Sequence, residues 1–380
     1  MDIPTGIEDI TVSWLDDALH AGGALPAEAR VTDVEVGDLG VGRGFLSQTV
    51  RIIPTYEGPA EGAPRSIVGK VPTFVEMPDW LVPGMATFFQ AEIGWYEHAA
   101  PGCPLRVPAT YWGGFRSHDQ YGLLMEDLGH LDTLSQHDSC SAEQARPIVE
   151  GLARAQARWW YNDELRRADW LPSLDRQIAL YAPWVTDFWT AFAERWVPIV
   201  DPAFLPVGER LVDQIVSVFQ RGVAAGSTLT HGDYRIENFL FGMPGSADEI
   251  VVVDWQLTGI GSGPRDMAYF IGQSLDRPTR RRLERELVEL YHGTLVSNGV
   301  HDYSWDQCWD DYRLGLLSAI WIPITTNRGM QDVAPPGEGA SIEDLQAFDD
   351  YLAAGNTLVE NIARRSISAI MDVDAGDVLD

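Results

Sequence analysis

The sequence predicts an α+β protein with short strands in its first third and long helices beyond. The first third contains short apolar or alternating runs, such as 32–36 and 66–72, separated by glycine- or proline-rich turns. After residue 140, apolar residues recur at helical spacing over long stretches such as 141–161 and 304–322. The chain of 380 residues can hold two domains or lobes, with ample apolar residues for a core.

A polar loop at 230–238 carries the strongest chemical signal. Asp233 and Asn238 are five residues apart in this loop. Kinase catalytic loops have this spacing, with an Asp that accepts the proton of the substrate hydroxyl and an Asn that holds magnesium. Arg235 lies two residues after Asp233, where its charge can neutralise a phosphoryl group in transfer. The spacing therefore predicts a site for phosphoryl transfer.

An apolar strand at 250–253 follows the loop and ends in Asp254, which places a carboxylate at a strand tip as a second metal ligand. A lone His-Gly-Asp is more often a turn than a catalytic loop, but the loop, the spaced Asn, the strand and its terminal Asp form a complete pattern. This pattern resembles the aminoglycoside phosphotransferase and choline kinase superfamily. Residues 254–256 and 266–270 are most similar to its ecdysteroid kinase-like branch.

The resemblance implies a two-lobed fold like that of the protein kinases. A small antiparallel β lobe is expected at 1–125, a hinge at 126–128, and a large, mainly helical lobe at 129–380. The implied cofactors are ATP and Mg²⁺, with ATP in the cleft, and the implied reaction transfers the γ-phosphoryl group to a hydroxyl of a small molecule. The implied site residues are Asp233 and Arg235 for catalysis, and Asn238 and Asp254 for the metal.

Neighbouring motif residues refine this expectation. The resemblance implies that His231 and Asp266 brace the backbone of the catalytic loop. Gln256 stands where protein kinases have the Gly of Asp-Phe-Gly, which argues against an Asp flip of the protein-kinase type. No Ala-Pro-Glu occurs between 254 and 270, which argues against a protein substrate.

A glycine-rich turn is predicted in the small lobe. A helix at 7–20 and a strand at 32–36 precede it, and a strand at 48–53 and a loop at 54–65 follow. Such a turn between two strands lets backbone N–H groups approach phosphates, although a hairpin with glycines is at least as common. Its position upstream of the catalytic loop favours the phosphate interpretation. The predicted phosphate-covering residues are Gly40, Gly42, Gly44 and Ser47.

Lys70 lies inside the apolar strand at 66–72. A Lys in such a strand usually faces solvent, but this one matches the kinase Lys that pairs with nucleotide phosphates and with a helix Glu. Glu92, in the helical segment 88–96, is the predicted partner. Glu97 and, less favoured, Glu76 are the alternatives.

The apolar strand that begins at residue 121 stops at two acids, Glu126 and Asp127. The resemblance makes this point the hinge between the lobes. Backbone groups from Glu126 to Leu128 are then expected to hydrogen-bond adenine. An ordinary strand end is the alternative that the sequence leaves open.

Helices are predicted through most of the large lobe. The helix at 141–161 has Ser141 as a cap and Glu143 in its first turn, where the helix dipole favours an acid. The residues after 370 are expected to fray. Further helices are predicted at 204–222, 278–298 and 304–322, and either one helix or a helix pair is predicted at 341–368.

Ten aromatic residues lie in 159–196, and most are expected in the core, with some lining an acceptor pocket. The segment holds six acids and four arginines, a net charge of 4 − 6 = −2. A site for several ammonium groups needs clustered carboxylates. We therefore expect a small, partly apolar alcohol as acceptor. An aminoglycoside, a hydroxyacyl thioester, or a non-catalytic nucleotide-binding role remain the alternatives.

The composition limits the other partners. The net charge of −29 should repel nucleic acid and anionic membranes, and it is compatible with a cationic substrate, although acidity is more often a solubility trait. No signal peptide and no membrane-length apolar run is apparent. The three cysteines are far apart, so a reducing cytoplasm is the expected location. The sequence does not indicate an oligomeric state.

Overall fold

The computed structural model describes residues 1–39, 47–72, 79–333, 335 and 341–380. These residues form two compact units. The first comprises Met1–Thr133 and Phe239–Thr258, and the second comprises Leu134–Asn238 and Gly259–Asp380. Four residues named in the sequence predictions lie outside the described residues, namely Gly40, Gly42, Gly44 and Glu76.

Strands and helices follow the predicted order along the chain. The elements up to Thr230 are α1 (Val12–Ala21), β1 (Arg30–Asp38), β2 (Gln48–Glu57), β3 (Ile67–Val71), α2 (Val82–His98), β4 (Thr110–Ser117), β5 (Gln120–Glu126), β6 (Asp132–Thr133), α3 (Ala142–Arg158), α4 (Leu174–Val200), α5 (Leu205–Ala225) and β7 (Ser227–Thr230). The remaining elements are β8 (Phe239–Phe241), β9 (Ile250–Val252), β10 (Gly259–Ser262), α6 (Gly263–Ser274), α7 (Arg277–Ser297), α8 (Trp305–Ser318), α9 (Trp321–Gln331) and α10 (Ile342–Asp372).

The first unit is built on an antiparallel sheet with the strand order β1-β2-β3-β5-β4. Side chains alternate along β3, as they do in any strand. Ile67 and Val71 pack in the core that also contains Leu15 and Leu19 of α1. Lys70 lies on the other side and reaches α2. The small antiparallel β lobe with one key helix is therefore confirmed.

Strand β2 is longer than predicted and includes Pro54, which the sequence had placed in a loop. Pro54 is paired with Val34 of β1, whereas the pairing of β2 with β3 ends at Ile52 and Ile67. The missing N–H of proline is tolerated there because Pro54 lies beyond the end of β3. Strand β4 was not predicted.

The segment 239–258 belongs to the first unit, although the predicted division at 126–128 assigned it to the large lobe. Strand β8 pairs with both β6 and β9 in a second antiparallel sheet. Val252 of β9 donates its backbone N–H to the carbonyl of Arg106 at 2.9 Å. Because of these pairings, Asp254 belongs to the first unit. The hinge at 126–128 stays a prediction.

The second unit is mainly helical, as predicted. Ser141 caps α3 in a reciprocal capping box with Gln144. The helix predicted at 304–322 is present as α8, but α8 ends at Ser318 and a second helix, α9, begins at Trp321. Pro323 lacks the N–H that a continuous helix would bond to the carbonyl of residue 319, and its ring would clash with that carbonyl. No described helix is apolar over a length that could cross a bilayer.

The C-terminal residues do not fray, which corrects another expectation. Residues Ala375–Leu379 form a short 3₁₀ helix in which Leu379 is buried. Arg313 donates to the backbone carbonyl of Val373, and Arg221 donates to that of Val378 at 2.8 Å. The tail is held through its backbone, which hydrophobic periodicity does not reveal.

Candidate active site

Lys70, Glu92 and Asp254 meet in the first unit, although they lie on β3, on α2 and just after β9. The Nζ atom of Lys70 is 2.6 Å from Oε1 of Glu92 and 2.8 Å from Oδ1 of Asp254. The predicted pairing of Lys70 with Glu92 is therefore present. The alternative partner Glu97 is exposed on α2.

The charges in this cluster do not cancel. Two carboxylates share one ammonium group, which leaves a formal charge of −1. Burial lowers the pKa of Lys70, but the charges of Asp254 and Glu92 outweigh it and raise the pKa, so the ammonium stays protonated. Burial raises the pKa of Glu92 despite the opposing effect of Lys70. A cluster with this charge favours a cation beside Asp254.

The backbone of Asp254 is held in an uncommon conformation. Its φ of 66° lies in the left-handed region, which Asp tolerates better than most residues. The next residue, Trp255, stacks on Trp95 of α2 with ring centroids 3.7 Å apart. Trp95 follows Glu92 by one helical turn, so the same helix holds both the Lys70 partner and the segment that carries Asp254. Backbone strain of this kind tends to occur at functional sites.

The carboxylate of Asp233 in the second unit accepts three hydrogen bonds from the residues that the structure describes. Oδ2 accepts from Nε of Arg235 at 3.1 Å and from Nδ2 of Asn238 at 3.0 Å. Oδ1 accepts from the hydroxyl of Tyr269 at 2.9 Å. The residues of the predicted catalytic loop are thus brought together, and Tyr269 joins them from α6.

The same neighbours determine the charge of Asp233. Burial raises the pKa of Asp233, but the positive charge of Arg235, the interaction with His231 and the hydrogen bonds to the carboxylate outweigh burial and lower it. Asp233 is therefore ionised at neutral pH. Nη1 of Arg235 also donates to Glu237 at 2.5 Å, which holds the guanidinium from its other side.

The loop backbone is braced as the sequence resemblance implied. The carboxylate of Asp266 accepts from the N–H of His231 at 2.7 Å and of Gly232 at 3.1 Å. Nδ1 of His231 accepts from the N–H of Asp233 at 3.2 Å. Gly232 has a φ of 85°, which strongly favours glycine. Burial raises the pKa of Asp266, and the two backbone donors oppose that shift.

The two predicted metal ligands offer suitable donor atoms. Nδ2 of Asn238 donates to the backbone carbonyl of Asp233 at 2.7 Å, which leaves the amide oxygen to act as an acceptor. Asp254 supplies a carboxylate in the negatively charged cluster. Magnesium prefers hard oxygen ligands and usually takes one or two carboxylates together with phosphates and water. Each of these oxygens is therefore a donor of the kind that magnesium binds. The described residues contain no group of three or more His, Cys, Asp or Glu side chains that could hold a metal ion.

The remaining predicted nucleotide contacts are less well defined. The N–H of Glu126 already donates to Ala109 at 2.8 Å, and its carboxylate accepts from Arg106 at 2.8 Å. Leu128 is buried, and so is Ser47, which lies just before β2. Adenine binding near 126–128 and phosphate binding by Ser47 stay predictions. The N–H of Glu126 is already used by Ala109, so it is not the group that would bind adenine.

Residues 174–301 match the model of the ecdysteroid kinase-like family. The matched segment contains the predicted catalytic loop, and it also contains residues 254–256 and 266–270, which suggested this branch. The predicted resemblance is therefore confirmed. Among curated proteins, none matches the chain.

Solved structures share the fold over most of the chain. A protein from Ralstonia eutropha JMP134 that has been assigned as an aminoglycoside phosphotransferase is 16% identical, with a TM-score of 0.51, covering 94% of this chain and 98% of its own. An ethanolamine kinase from Plasmodium vivax is 14% identical, with a TM-score of 0.50 and coverages of 89% and 85%. A choline kinase from Cryptosporidium parvum is 13% identical, with a TM-score of 0.50 and coverages of 94% and 96%. The predicted kinase-like α+β fold is thereby confirmed.

Within the matched segment 174–301, Tyr269 is a candidate site residue that the sequence predictions missed. It lies three residues after Asp266 on α6. Residues three apart share one face of a helix. Once Asp266 was expected to face the catalytic loop, the same spacing could have pointed to Tyr269.

Proposed function

We propose that this protein is a magnesium-dependent kinase that transfers the γ-phosphoryl group of ATP to a hydroxyl of a small, partly apolar molecule. One observation carries the proposal. Lys70, Glu92 and Asp254 come from distant parts of the chain and meet within hydrogen-bonding distance. A phosphate-binding Lys paired to a helix Glu, together with a metal-binding Asp, is the arrangement that positions ATP in kinases.

Lys70 grips the nucleotide phosphates in the proposed reaction, and Glu92 holds its ammonium group in place. Asp254 and Asn238 are the proposed ligands of magnesium. Bound magnesium would neutralise negative charge on the phosphates. The glycine-rich turn at Gly40, Gly42 and Gly44 and the segment from Glu126 to Leu128 remain the proposed covering and adenine-binding residues.

Asp233 acts on the acceptor. A bond forms between the acceptor oxygen and the γ-phosphorus, the bond from that phosphorus to the bridging oxygen of ADP breaks, and Asp233 takes the hydroxyl proton. An ionised carboxylate can accept this proton, and the lowered pKa of Asp233 keeps it ionised. Arg235 supplies positive charge beside it. Positioning and charge neutralisation account for most of the catalysis in phosphoryl transfer.

The acceptor is proposed to be partly apolar because the segment 159–196 offers little to a polycation. All six of its acidic side chains are exposed. Six of its ten aromatic residues are buried, as expected for core residues: Trp159, Tyr181, Trp184, Trp189, Phe192 and Trp196. Apolar surroundings with a few polar groups are typical of small-molecule sites.

A screen of small alcohols tests the proposal. The protein is incubated with ATP and magnesium and with pools of sterols, aliphatic alcohols, amino alcohols, hydroxyacyl thioesters and aminoglycosides, and the products are examined by mass spectrometry. A product heavier by one phosphoryl group, formed only when ATP, magnesium and the enzyme are present, is expected. ATP binding without transfer to any acceptor or to water would instead indicate a non-catalytic nucleotide-binding protein.

A further inference from the structure

Tyr269 approaches the candidate catalytic carboxylate from α6. Its hydroxyl donates to Oδ1 of Asp233 at 2.9 Å, and the residue is only 3% exposed. We propose that Tyr269 is a positioning residue that orients Asp233, so that one free acceptor position on the carboxylate receives the acceptor hydroxyl. This inference rests on the proposed function, because it assigns a role in that reaction.

The hydrogen bonds that Asp233 already accepts explain why this contact matters. An ionised carboxylate offers about four acceptor positions, two on each oxygen. Both positions on Oδ2 of Asp233 are used, by Arg235 and Asn238. One of the two positions on Oδ1 is used by Tyr269. Among the described residues, the position that remains is on Oδ1, so the oxygen that Tyr269 holds is also the one left for the acceptor.

The donors of Oδ2 and the donor of Oδ1 come from different elements. Arg235 and Asn238 belong to the catalytic loop itself and move with it. Tyr269 lies on α6, the helix whose Asp266 also holds the loop backbone at His231 and Gly232. One rigid helix therefore fixes both the main chain of the loop and the orientation of its carboxylate. A site residue must be held closely by its neighbours if the reacting groups are to stay aligned.

The hydroxyl of Tyr269 is the donor in its contact with Asp233. Burial and the charge of Asp233 raise the pKa of Tyr269 well above its usual value, so the hydroxyl keeps its proton. An ionised carboxylate has no proton to donate, so the contact is a hydrogen bond from Tyr269 to Oδ1 of Asp233.

Tyr269→Phe tests the proposal, with Tyr312→Phe as its matched control. Tyr312 is also a buried tyrosine that donates to an arginine-paired carboxylate, Glu284, but it lies on α8. We expect Tyr269→Phe to lower kcat about tenfold or more, the factor expected from losing one hydrogen bond to a charged group, with the KM for ATP unchanged. Tyr312→Phe should leave both kcat and the KM for ATP near their wild-type values. Equal kcat and KM values in the two variants would overturn the proposal.

A double-mutant cycle separates this inference from the proposed function. The unfolding equilibrium is measured for the wild type, Tyr269→Phe, Asp233→Ala and the double variant, which requires no turnover. A direct contact predicts non-additive effects of about tenfold in the unfolding constant, and additive effects would overturn it. If the wild type phosphorylates neither an alcohol nor water, the proposed function fails, and the cycle alone decides whether Tyr269 holds Asp233.

Discussion

The ammonium group of Lys70 lies 2.8 Å from Oδ1 of Asp254, which is 184 positions further along the chain. The same ammonium group lies 2.6 Å from Glu92 on α2. Because the two carboxylates share one ammonium group, the cluster of Lys70, Glu92 and Asp254 retains a negative charge, which a divalent cation can balance. The contact thus links the proposed phosphate-binding residue directly to a proposed metal ligand within one compact unit.

Substitution of the metal ligands should change how nucleotide binding depends on magnesium. Asp254→Ala is expected to remove the magnesium dependence of ATP binding, and Asn238→Ala is expected to weaken it, because each loses an oxygen donor. Calorimetric titration with ATP, in the presence and absence of magnesium, measures this. Asp248→Ala is the matched control, since Asp248 lies in the same hairpin and pairs with Arg106. If Asp254→Ala kept the magnesium dependence of the wild type, Asp254 would be excluded as a ligand.

The acceptor should be a partly apolar alcohol. Each buried cation of an aminoglycoside needs a carboxylate partner, and all the acids in 159–196 are exposed. Sterols and kanamycin-type aminoglycosides should be compared under identical conditions by product mass. We expect phosphorylation of the hydrophobic alcohols to be the more efficient. Efficient phosphorylation of aminoglycosides alone would contradict the acceptor class and leave the kinase proposal in place.

Asp311 should destabilise the folded protein above pH 6. Burial raises the pKa of Asp311 to about 6, although its hydrogen bond from Tyr303 opposes the shift. The folded state then binds this proton more tightly than the unfolded state, whose carboxyl titrates near pH 3.9, so the free energy of unfolding falls between about pH 4 and pH 6. Asp311→Asn should remove this fall in the free energy of unfolding, because the amide does not titrate.

Urea denaturation at pH 4 and pH 8 measures the effect. Relative to the wild type, Asp311→Asn is expected to raise the free energy of unfolding by up to about 3 kcal/mol at pH 8, and by little at pH 4. Asp302→Asn, an exposed substitution nearby, is the control and should change neither value. A stabilisation that is equal at both pH values would show that the titration of Asp311 is not its cause.

The sequence allowed the catalytic loop, Asp254 and the pairing of Lys70 with Glu92 to be predicted, because their spacing is local or matches a known pattern. It did not reveal contacts between distant segments that have no fixed spacing. The stacking of Trp95 on Trp255 depends on how the chain folds back on itself. No periodicity within either segment encodes such contacts.

Errors in the fold prediction have similar causes. The helix at 304–322 was predicted from its apolar stripe, and the effect of Pro323 on the helix was given too little weight. The C-terminal tail looked free because it is acidic and polar, yet arginines from α5 and α8 bind its carbonyl groups. The sequence does not show which backbone carbonyl groups will accept hydrogen bonds from distant arginines, so this anchoring is visible only in the structure.

The most direct test of the account is the effect of Asp233→Asn on phosphoryl transfer and on ATP binding. The substitution keeps the size of the side chain and removes the group that takes the acceptor proton. We expect transfer to fall on the order of a hundredfold or more, the usual contribution of a positioned acid–base group, while calorimetry shows unchanged ATP affinity. Turnover near the wild-type rate in Asp233→Asn would contradict the assignment of the catalytic loop, and with it the proposed reaction.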